Sequence, residues 1–197
     1  MRTIRIILWV AVVAAAIAFG ALFLRNSMPE EVPQARSTQV SFGGPFTLVD
    51  SKGQPFPSSR LAGKPYAIFF GFTHCPDVCP TTLGRLVKLR RQSGGDDALR
   101  IVFVTVDPER DGPAEVGRYA GLFGAPVIGL TGSPAQIARV KKQYGIFSEK
   151  VGAGDNYTVD HTATVLLFDS NGQFQSTISM EETDPAALAK LKRLTSG

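Results

Sequence analysis

The stretch that decides the fold is YAIFFGFTHCPDVCP, residues 66–80. Its first part, residues 66–72, is a continuous apolar run, which predicts a strand buried on both faces of a sheet. Apolar residues then recur at helical spacing over residues 83–90, and Pro80 suits the first position of that helix. A buried strand, a short loop and a helix in this order are typical of an α/β fold.

Outside this stretch the chain continues the same alternation. Further strands are predicted at 101–106, 127–130 and 162–168, and further helices at 113–123, at 133–144 and from Pro185 onward. A short hairpin around Asp50 opens the domain, and Asn171-Gly172 makes a second hairpin turn near its end. Alternating strands and helices predict an α/β sheet with parallel strands, to which the last hairpin adds antiparallel ones.

The amino terminus has the pattern of a transmembrane anchor. Residues 6–24 are 19 residues without a charge, close to the roughly 20 that span a bilayer as a helix. Arg2 and Arg5 precede the run and favour a cytoplasmic amino terminus. A cleaved signal peptide is the alternative, but its apolar core is shorter and ends in small residues, whereas this run ends at Leu22-Phe23-Leu24. We expect a single-pass helix in a bacterial inner membrane, with the soluble domain in the periplasm.

The chain therefore divides into an anchor (1–25), a polar linker (26–44) and one globular domain (45–197). The 197 residues carry a net charge of +4, of which the arginines flanking the anchor supply three. Without them 18 basic residues face 17 acidic ones, which leaves +1 for residues 26–197. A nearly neutral domain without a basic cluster is not expected to bind nucleic acid.

The chemistry concentrates in the loop of the opening stretch. Cys75 and Cys79 are the only cysteines of the chain, and they follow a predicted strand, where α/β folds place their sites. A purely structural disulfide is a weak explanation, because closing so short a loop stabilises a fold by only about 2 kcal/mol. The two thiols indicate either disulfide exchange or metal binding. We expect Cys79 near the helix N-cap, where backbone amides favour a thiolate and the charge of Asp77 opposes it.

Metal binding needs further ligands, and the chain has two histidines, His74 and His161. His74 adjoins Cys75, and neighbouring side chains seldom bind the same ion. His161 follows a glycine-rich loop and precedes the predicted strand 162–168, with Asp160 beside it as a residue that can orient the ring. Two thiolates and one imidazole suit Cu(I) or Cu(II) better than structural zinc, which takes four ligands.

Three motifs closely resemble the Sco/SenC family. They are GFTHCPDVCP at 71–80, VDPERD at 106–111 and YTVDHT at 157–162. Members of this family are membrane-anchored copper proteins with a thioredoxin-like fold, and they help to build the dinuclear copper site of cytochrome c oxidase subunit II. The resemblance implies a thioredoxin-like domain in which Cys75, Cys79 and His161 bind copper.

By the same resemblance, the partners are a copper donor protein, subunit II as acceptor and a thioredoxin-like reductant. The stretch from Asp107 to Asp111 also matches the family; the sequence predicts a turn and helix cap after a strand there and leaves any further role open. The alternative function is a thiol-disulfide oxidoreductase, in which Cys75 and Cys79 reduce the copper-site cysteines of subunit II and His161 is dispensable. A peroxiredoxin-type peroxidase is disfavoured, because its Thr-x-x-Cys setting is absent: Thr73 stands only two positions before Cys75.

Overall fold

A computed structural model describes residues 42–196, together with Arg2, Trp9 and Phe19 as single positions. Apart from two of those positions, the expected anchor at 6–24 lies outside the described residues. Among the helices that the structure describes, none combines the length and the apolar character needed to cross a membrane.

The described part of the chain folds into strands and helices in alternation. The strands are β1 (Thr47–Asp50), β2 (Pro55–Pro57), β3 (Tyr66–Gly71), β4 (Arg100–Thr105), β5 (Ile128–Thr131), β6 (Ser148–Val151), β7 (Thr158–His161), β8 (Val165–Phe168) and β9 (Phe174–Ile178). The helices are α1 (Val78–Gln92), α2 (Pro113–Gly121), α3 (Pro134–Gln143) and α4 (Asp184–Thr195). Seven strands form one sheet in the order β2-β1-β5-β4-β3-β8-β9, and β6 pairs with β7 in a separate sheet. The predicted mixed α/β fold is confirmed.

The centre of the large sheet is made by β3 and β4. They pair in parallel, and β8 runs antiparallel on the other side of β3. All six residues of β3 are buried, which explains why the strand is a continuous apolar run rather than an alternating one. Because parallel strands end at the same edge of a sheet, the loop after β3 and the turn after β4 leave the sheet side by side.

Helix α1 begins earlier than the sequence pattern predicts. Its first residue is Val78 and its N-cap is Asp77. Cys79 is therefore the second helical residue, near the cap as expected, and Pro80 is the third rather than the first. Proline is tolerated there, because the amide groups of the first helical turn have no partner within the helix.

The hairpin of β6 and β7 was not predicted. The sequence pattern indicated a glycine-rich loop followed by a strand at 162–168, whereas β8 begins only at Val165 and His161 is the last residue of β7. Most side chains of the hairpin are exposed, so its apolar alternation is weak. Gly152 and Gly154 lie in its connection with φ values of 104° and 68°, a region that glycine adopts readily.

Candidate metal centre

The cysteine loop, residues 72–77, connects the buried strand β3 to α1. The amide of Cys75 donates a hydrogen bond to the carbonyl oxygen of Phe72 at 3.2 Å. The amide of Cys79 donates to Sγ of Cys75 at 3.3 Å. Both residues are free thiols; Cys79 is fully buried and Cys75 is half-buried. The loop thus presents one sulfur to solvent and keeps the other beneath it.

Gly71, the last residue of β3, makes room for the buried sulfur. A Cβ atom at this position would lie 2.7 Å from Sγ of Cys79 and 3.1 Å from the rings of Phe69 and Phe103. Such a contact is too short to occur without displacing a neighbour. Sequence reasoning did not single out Gly71, although a glycine inside an apolar strand often marks the close approach of another group.

His161 reaches the sulfurs from the hairpin. Its ring packs edge-on against Phe69 and Phe72, with centroids 6.1 and 5.8 Å apart. Nε2 lies 3.4 Å from Sγ of Cys79, and Nδ1 lies 3.0 Å from the carbonyl oxygen of Thr162. Because a carbonyl oxygen only accepts hydrogen bonds, Nδ1 of the neutral ring carries the hydrogen. Nε2 therefore presents its lone pair to the sulfur.

The fold brings three of the candidate residues together. One ligand atom from each of Cys75, Cys79 and His161 lies within 4.8 Å of the other two, although the histidine is 82 residues away from Cys79 in the chain. Two sulfurs and one imidazole nitrogen at this spacing can contact one ion. This donor set is soft and favours copper over the hard cations Mg²⁺ and Ca²⁺.

The protonation of the metal-free site is set mainly by burial. Burial raises the pKa of the Cys79 thiol, and its hydrogen bond with Cys75 raises it further. Of the two opposing effects that the sequence indicates, the helix amides do not prevail, because desolvation of the sulfur outweighs them in the metal-free protein. Burial lowers the pKa of His161, so this ring is neutral at pH 7. A metal ion entering the site displaces the proton of Cys79 and meets an imidazole that is already neutral.

Two other residues that the sequence suggested lie apart from this group. His74 is exposed, and its Nδ1 lies 3.6 Å from the carboxylate of Asp111. Asp160 is exposed on β7, and none of the described hydrogen bonds joins its side chain to the ring of His161. The carbonyl group of Thr162 orients the ring instead, and a backbone group of this kind leaves no signal in a sequence.

The comparison with known families decides the relationship of this chain. A family model described as SCO1/SenC matches residues 34–196, most of the sequence. The chain belongs to the SCO1/SenC family. The resemblance of the three motifs is thereby confirmed, and so is the thioredoxin-like α/β fold that it implied.

Individual relatives agree with this assignment. A SCO2-like protein of Rickettsia felis is 34% identical over 194 residues, which cover 93% of this chain and 94% of the relative. The structure of ScoI from Bradyrhizobium japonicum with copper bound shares 44% identity at a TM-score of 0.70, covering 78% of this chain and 99% of that one. The structure of ScoI from Arabidopsis thaliana with copper bound shares 32% identity at a TM-score of 0.72, covering 79% and 98%.

Proposed function

We propose that this chain is a copper-binding assembly factor that holds one copper ion through Cys75, Cys79 and His161. The observation that carries the proposal is the convergence of these three side chains, whose ligand atoms lie within 4.8 Å of one another. The donor set suits Cu(I) by its softness and also accommodates Cu(II). Support comes from the similar proteins of Bradyrhizobium japonicum and Arabidopsis thaliana, whose structures contain copper.

Copper is cargo in this proposal, and the site is open enough to exchange it. An open groove passes over Cys75 and His161, and its apolar lining includes Pro76, Val78 and Met180. A three-ligand site leaves a coordination position for a ligand from another protein. Copper can therefore move in steps, one ligand at a time, with half-buried Cys75 as the protein sulfur nearest to solvent.

We further propose that the acceptor is the dinuclear copper site of cytochrome c oxidase subunit II, the role of the family that the motifs resemble. Residues 6–24 anchor the chain in a bacterial inner membrane, with Arg2 and Arg5 on the cytoplasmic side, and residues 45–197 lie in the periplasm. Thiols in an oxidising compartment need a reductant to stay reduced. A thioredoxin-like reductant and a copper donor protein complete the set of partners.

An anaerobic Cu(I) titration of the reduced full chain, in detergent and against a competing chelator, tests the ligand set. We expect one ion per chain, and we expect Cys75→Ser, Cys79→Ser and His161→Ala each to weaken binding by about 100-fold or more, about 2.8 kcal/mol. His74→Ala is the matched control, because it removes the other histidine and should leave the affinity unchanged. Binding that is indifferent to His161→Ala, or equally sensitive to His74→Ala, contradicts the proposed site.

A transfer experiment tests the proposed acceptor. The copper-loaded chain is mixed with the reduced, metal-free copper domain of subunit II, a one-electron oxidant is added to convert any transferred Cu(I) pair to the coloured mixed-valence state, and the absorption of the dinuclear centre is followed. We expect this absorption to rise with the copper-loaded chain and to stay flat when the metal-free chain is added. Copper that remains on the chain would remove subunit II as the acceptor while leaving the metal site intact.

A thiol-disulfide oxidoreductase is the second candidate function. It is favoured by the two free thiols, of which only Cys75 is within reach of a partner while Cys79 is buried. The thiolate of Cys75 would attack a disulfide of the partner, which breaks that disulfide, forms a mixed disulfide between Cys75 and one partner cysteine, and releases the other partner cysteine as a thiolate. Cys79 would then attack the sulfur of Cys75, which closes the Cys75–Cys79 disulfide and releases the reduced partner. An external dithiol is oxidised in turn when it reopens that disulfide.

His161 separates the two functions. The reduced chain and its His161→Ala variant are each mixed with the oxidised copper domain of subunit II, and the free thiols of that domain are counted. A reductase keeps its rate without the imidazole, whereas copper binding is lost. A variant that retains copper binding but loses reduction would reverse this assignment.

A further inference from the structure

The turn formed by residues 107–111, Asp-Pro-Glu-Arg-Asp, begins two residues after the end of β4. The amide of Asp111 donates to the carbonyl oxygen of Asp107 at 3.0 Å, which closes the turn. The side chains of Asp107 and Asp111 are both fully buried. Burying a carboxylate is costly unless it is paired or hydrogen-bonded. Two such groups beside the site, neither of them in the ligand group, therefore need an explanation.

The carboxylate of Asp111 fixes the start of the cysteine loop. It accepts hydrogen bonds from the amide of Thr73 at 2.8 Å and from the hydroxyl of Thr73 at 2.6 Å. The hydroxyl of Thr105, at the end of β4, donates a third at 2.6 Å. Thr73 stands two residues before Cys75, so Asp111 ties the segment that carries the sulfurs to the neighbouring strand.

The other half of the turn holds the hairpin that carries the histidine. Asp107 accepts hydrogen bonds from Nε of Arg110 at 2.6 Å and from the hydroxyl of Tyr157 at 2.7 Å. Arg110 also donates to the carbonyl oxygen of Tyr157 at 2.9 Å, and its guanidinium carbon lies 3.6 Å from the centroid of the tyrosine ring. Tyr157 immediately precedes β7, the strand that ends at His161.

From these contacts we propose that the 107–111 turn sets the spacing between the histidine and the two sulfurs. Asp107, Arg110 and Tyr157 are positioning residues for His161, and Asp111 is a positioning residue for the cysteine loop. The inference rests on the proposed ligand set and deepens it. It explains why a turn without a ligand carries two buried carboxylates, one directed at each ligand-bearing segment.

The pairing of the strands leaves the position of the hairpin to contacts outside the ladder of the large sheet. β6 and β7 form their own two-stranded sheet, so the hydrogen-bond ladder of the large sheet does not fix where the hairpin stands. Its connection end is held by the contacts of Tyr157 with Asp107 and Arg110, and its other end by the hydrogen bond that Lys141 donates to Ser148. Outer groups that orient metal ligands typically change metal affinity by about 10- to 100-fold when they are removed.

The test is a double-mutant cycle on the Cu(I) affinity of the full chain. Tyr157→Phe removes only the hydroxyl that Asp107 accepts from. We expect it to weaken binding by about tenfold in the unaltered chain, and to have no effect in a His161→Ala background, because it acts through that ligand. Tyr144→Phe is the matched control: it removes a hydroxyl that donates to Gly44 at 3.1 Å, outside the site, and should leave binding unchanged.

Thr73→Val tests the contact of the turn with the cysteine loop in the same way. It removes the hydroxyl bonded to Asp111 and keeps the shape of the side chain. Since it acts through the cysteines, its loss of affinity should persist in the His161→Ala background. Thermal unfolding of each metal-free variant shows whether the variant is still folded. Arg110→Lys is a second variant that alters the same hairpin contact.

Two results would overturn the positioning role. One is an equal loss of Cu(I) affinity for Tyr157→Phe in both backgrounds, which would indicate a general structural contact. The other is no loss in either background. Failure of the ligand set itself is visible separately, because His161→Ala alone would then leave the affinity unchanged.

Discussion

The two regions that supply the site are built differently. The cysteine loop lies between β3, in the middle of the large sheet, and α1, and Cys79 is part of the hydrophobic core. His161 lies at the end of a mostly exposed hairpin that forms its own sheet. The cysteine half of the site is therefore held in place by the packing of the hydrophobic core. The other half is attached to it through side chains, so changes in the two halves should have different consequences.

The largest difference in stability is expected between Cys79→Ser and His161→Ala. Both should reduce Cu(I) affinity, Cys79→Ser by at least about 1,000-fold, about 4 kcal/mol. Cys79→Ser also buries a hydroxyl in the core, which should lower the free energy of unfolding of the metal-free chain by about 1–3 kcal/mol. His161→Ala should leave that free energy much less changed. Urea unfolding beside the titration measures both quantities, and equal destabilisation by the two variants would break the distinction.

Gly71→Ala tests the core half without touching a ligand. The added methyl group would lie 2.7 Å from Sγ of Cys79, and overpacking of this kind typically costs about 1–3 kcal/mol. We expect urea unfolding to show that loss together with weaker copper binding. Gly84→Ala in α1 is the matched control, since nothing lies within 4 Å of its added atom and helical alanine is favoured over glycine by about 1 kcal/mol. A Gly71→Ala variant as stable as the parent would show that the sulfur has room to move.

The pH dependence of binding separates the two kinds of ligand. Burial raises the pKa of Cys79 and lowers that of His161. Copper must therefore displace a proton from this thiol at neutral pH, whereas the imidazole is already neutral. We expect Cu(I) affinity to rise with pH between about 6 and 8, and the logarithmic slope to fall by about one proton in Cys79→Ser. A slope that instead changes in His161→Ala would reverse the assignment.

The smallest effect is expected for the outer ion pair of the hairpin, between Lys150 and Glu109. Both side chains are largely exposed, and exposed pairs contribute little and are screened by salt. Lys150→Gln should leave Cu(I) affinity unchanged within the error of the titration, in contrast to Arg110→Lys. If Lys150→Gln lowered Cu(I) affinity more than Arg110→Lys does, the exposed ion pair would be the main support of the hairpin.

The core half of the site could be predicted from the sequence because its signals are local. The run at 66–72 identified the buried strand, and the position of Cys75 and Cys79 just after the end of that strand marked them as site residues. The protonation of Cys79 could not be decided from the sequence, for a physical reason. A helix start is visible in the sequence, but the burial that desolvates the sulfur depends on the packing of Gly71 and its neighbours.

The hairpin half was less accessible to sequence reasoning. His161 approaches Cys79 across 82 residues of chain, and no periodicity indicates that contact; the motif resemblance did. Strands β6 and β7 were not predicted, since mostly exposed strands lack the alternation that marks a half-buried one. The support given by Tyr157 and Thr162 uses a side chain and a carbonyl group whose partners exist only in the folded chain.

X-ray absorption of the reduced full chain loaded with one equivalent of Cu(I) tests the central claim most directly. We predict a first shell of two sulfur atoms and one imidazole nitrogen, with the nitrogen lost in His161→Ala and one sulfur lost in Cys79→Ser. A shell of sulfur alone that is unchanged by His161→Ala would contradict the account, because the hairpin would then supply no ligand.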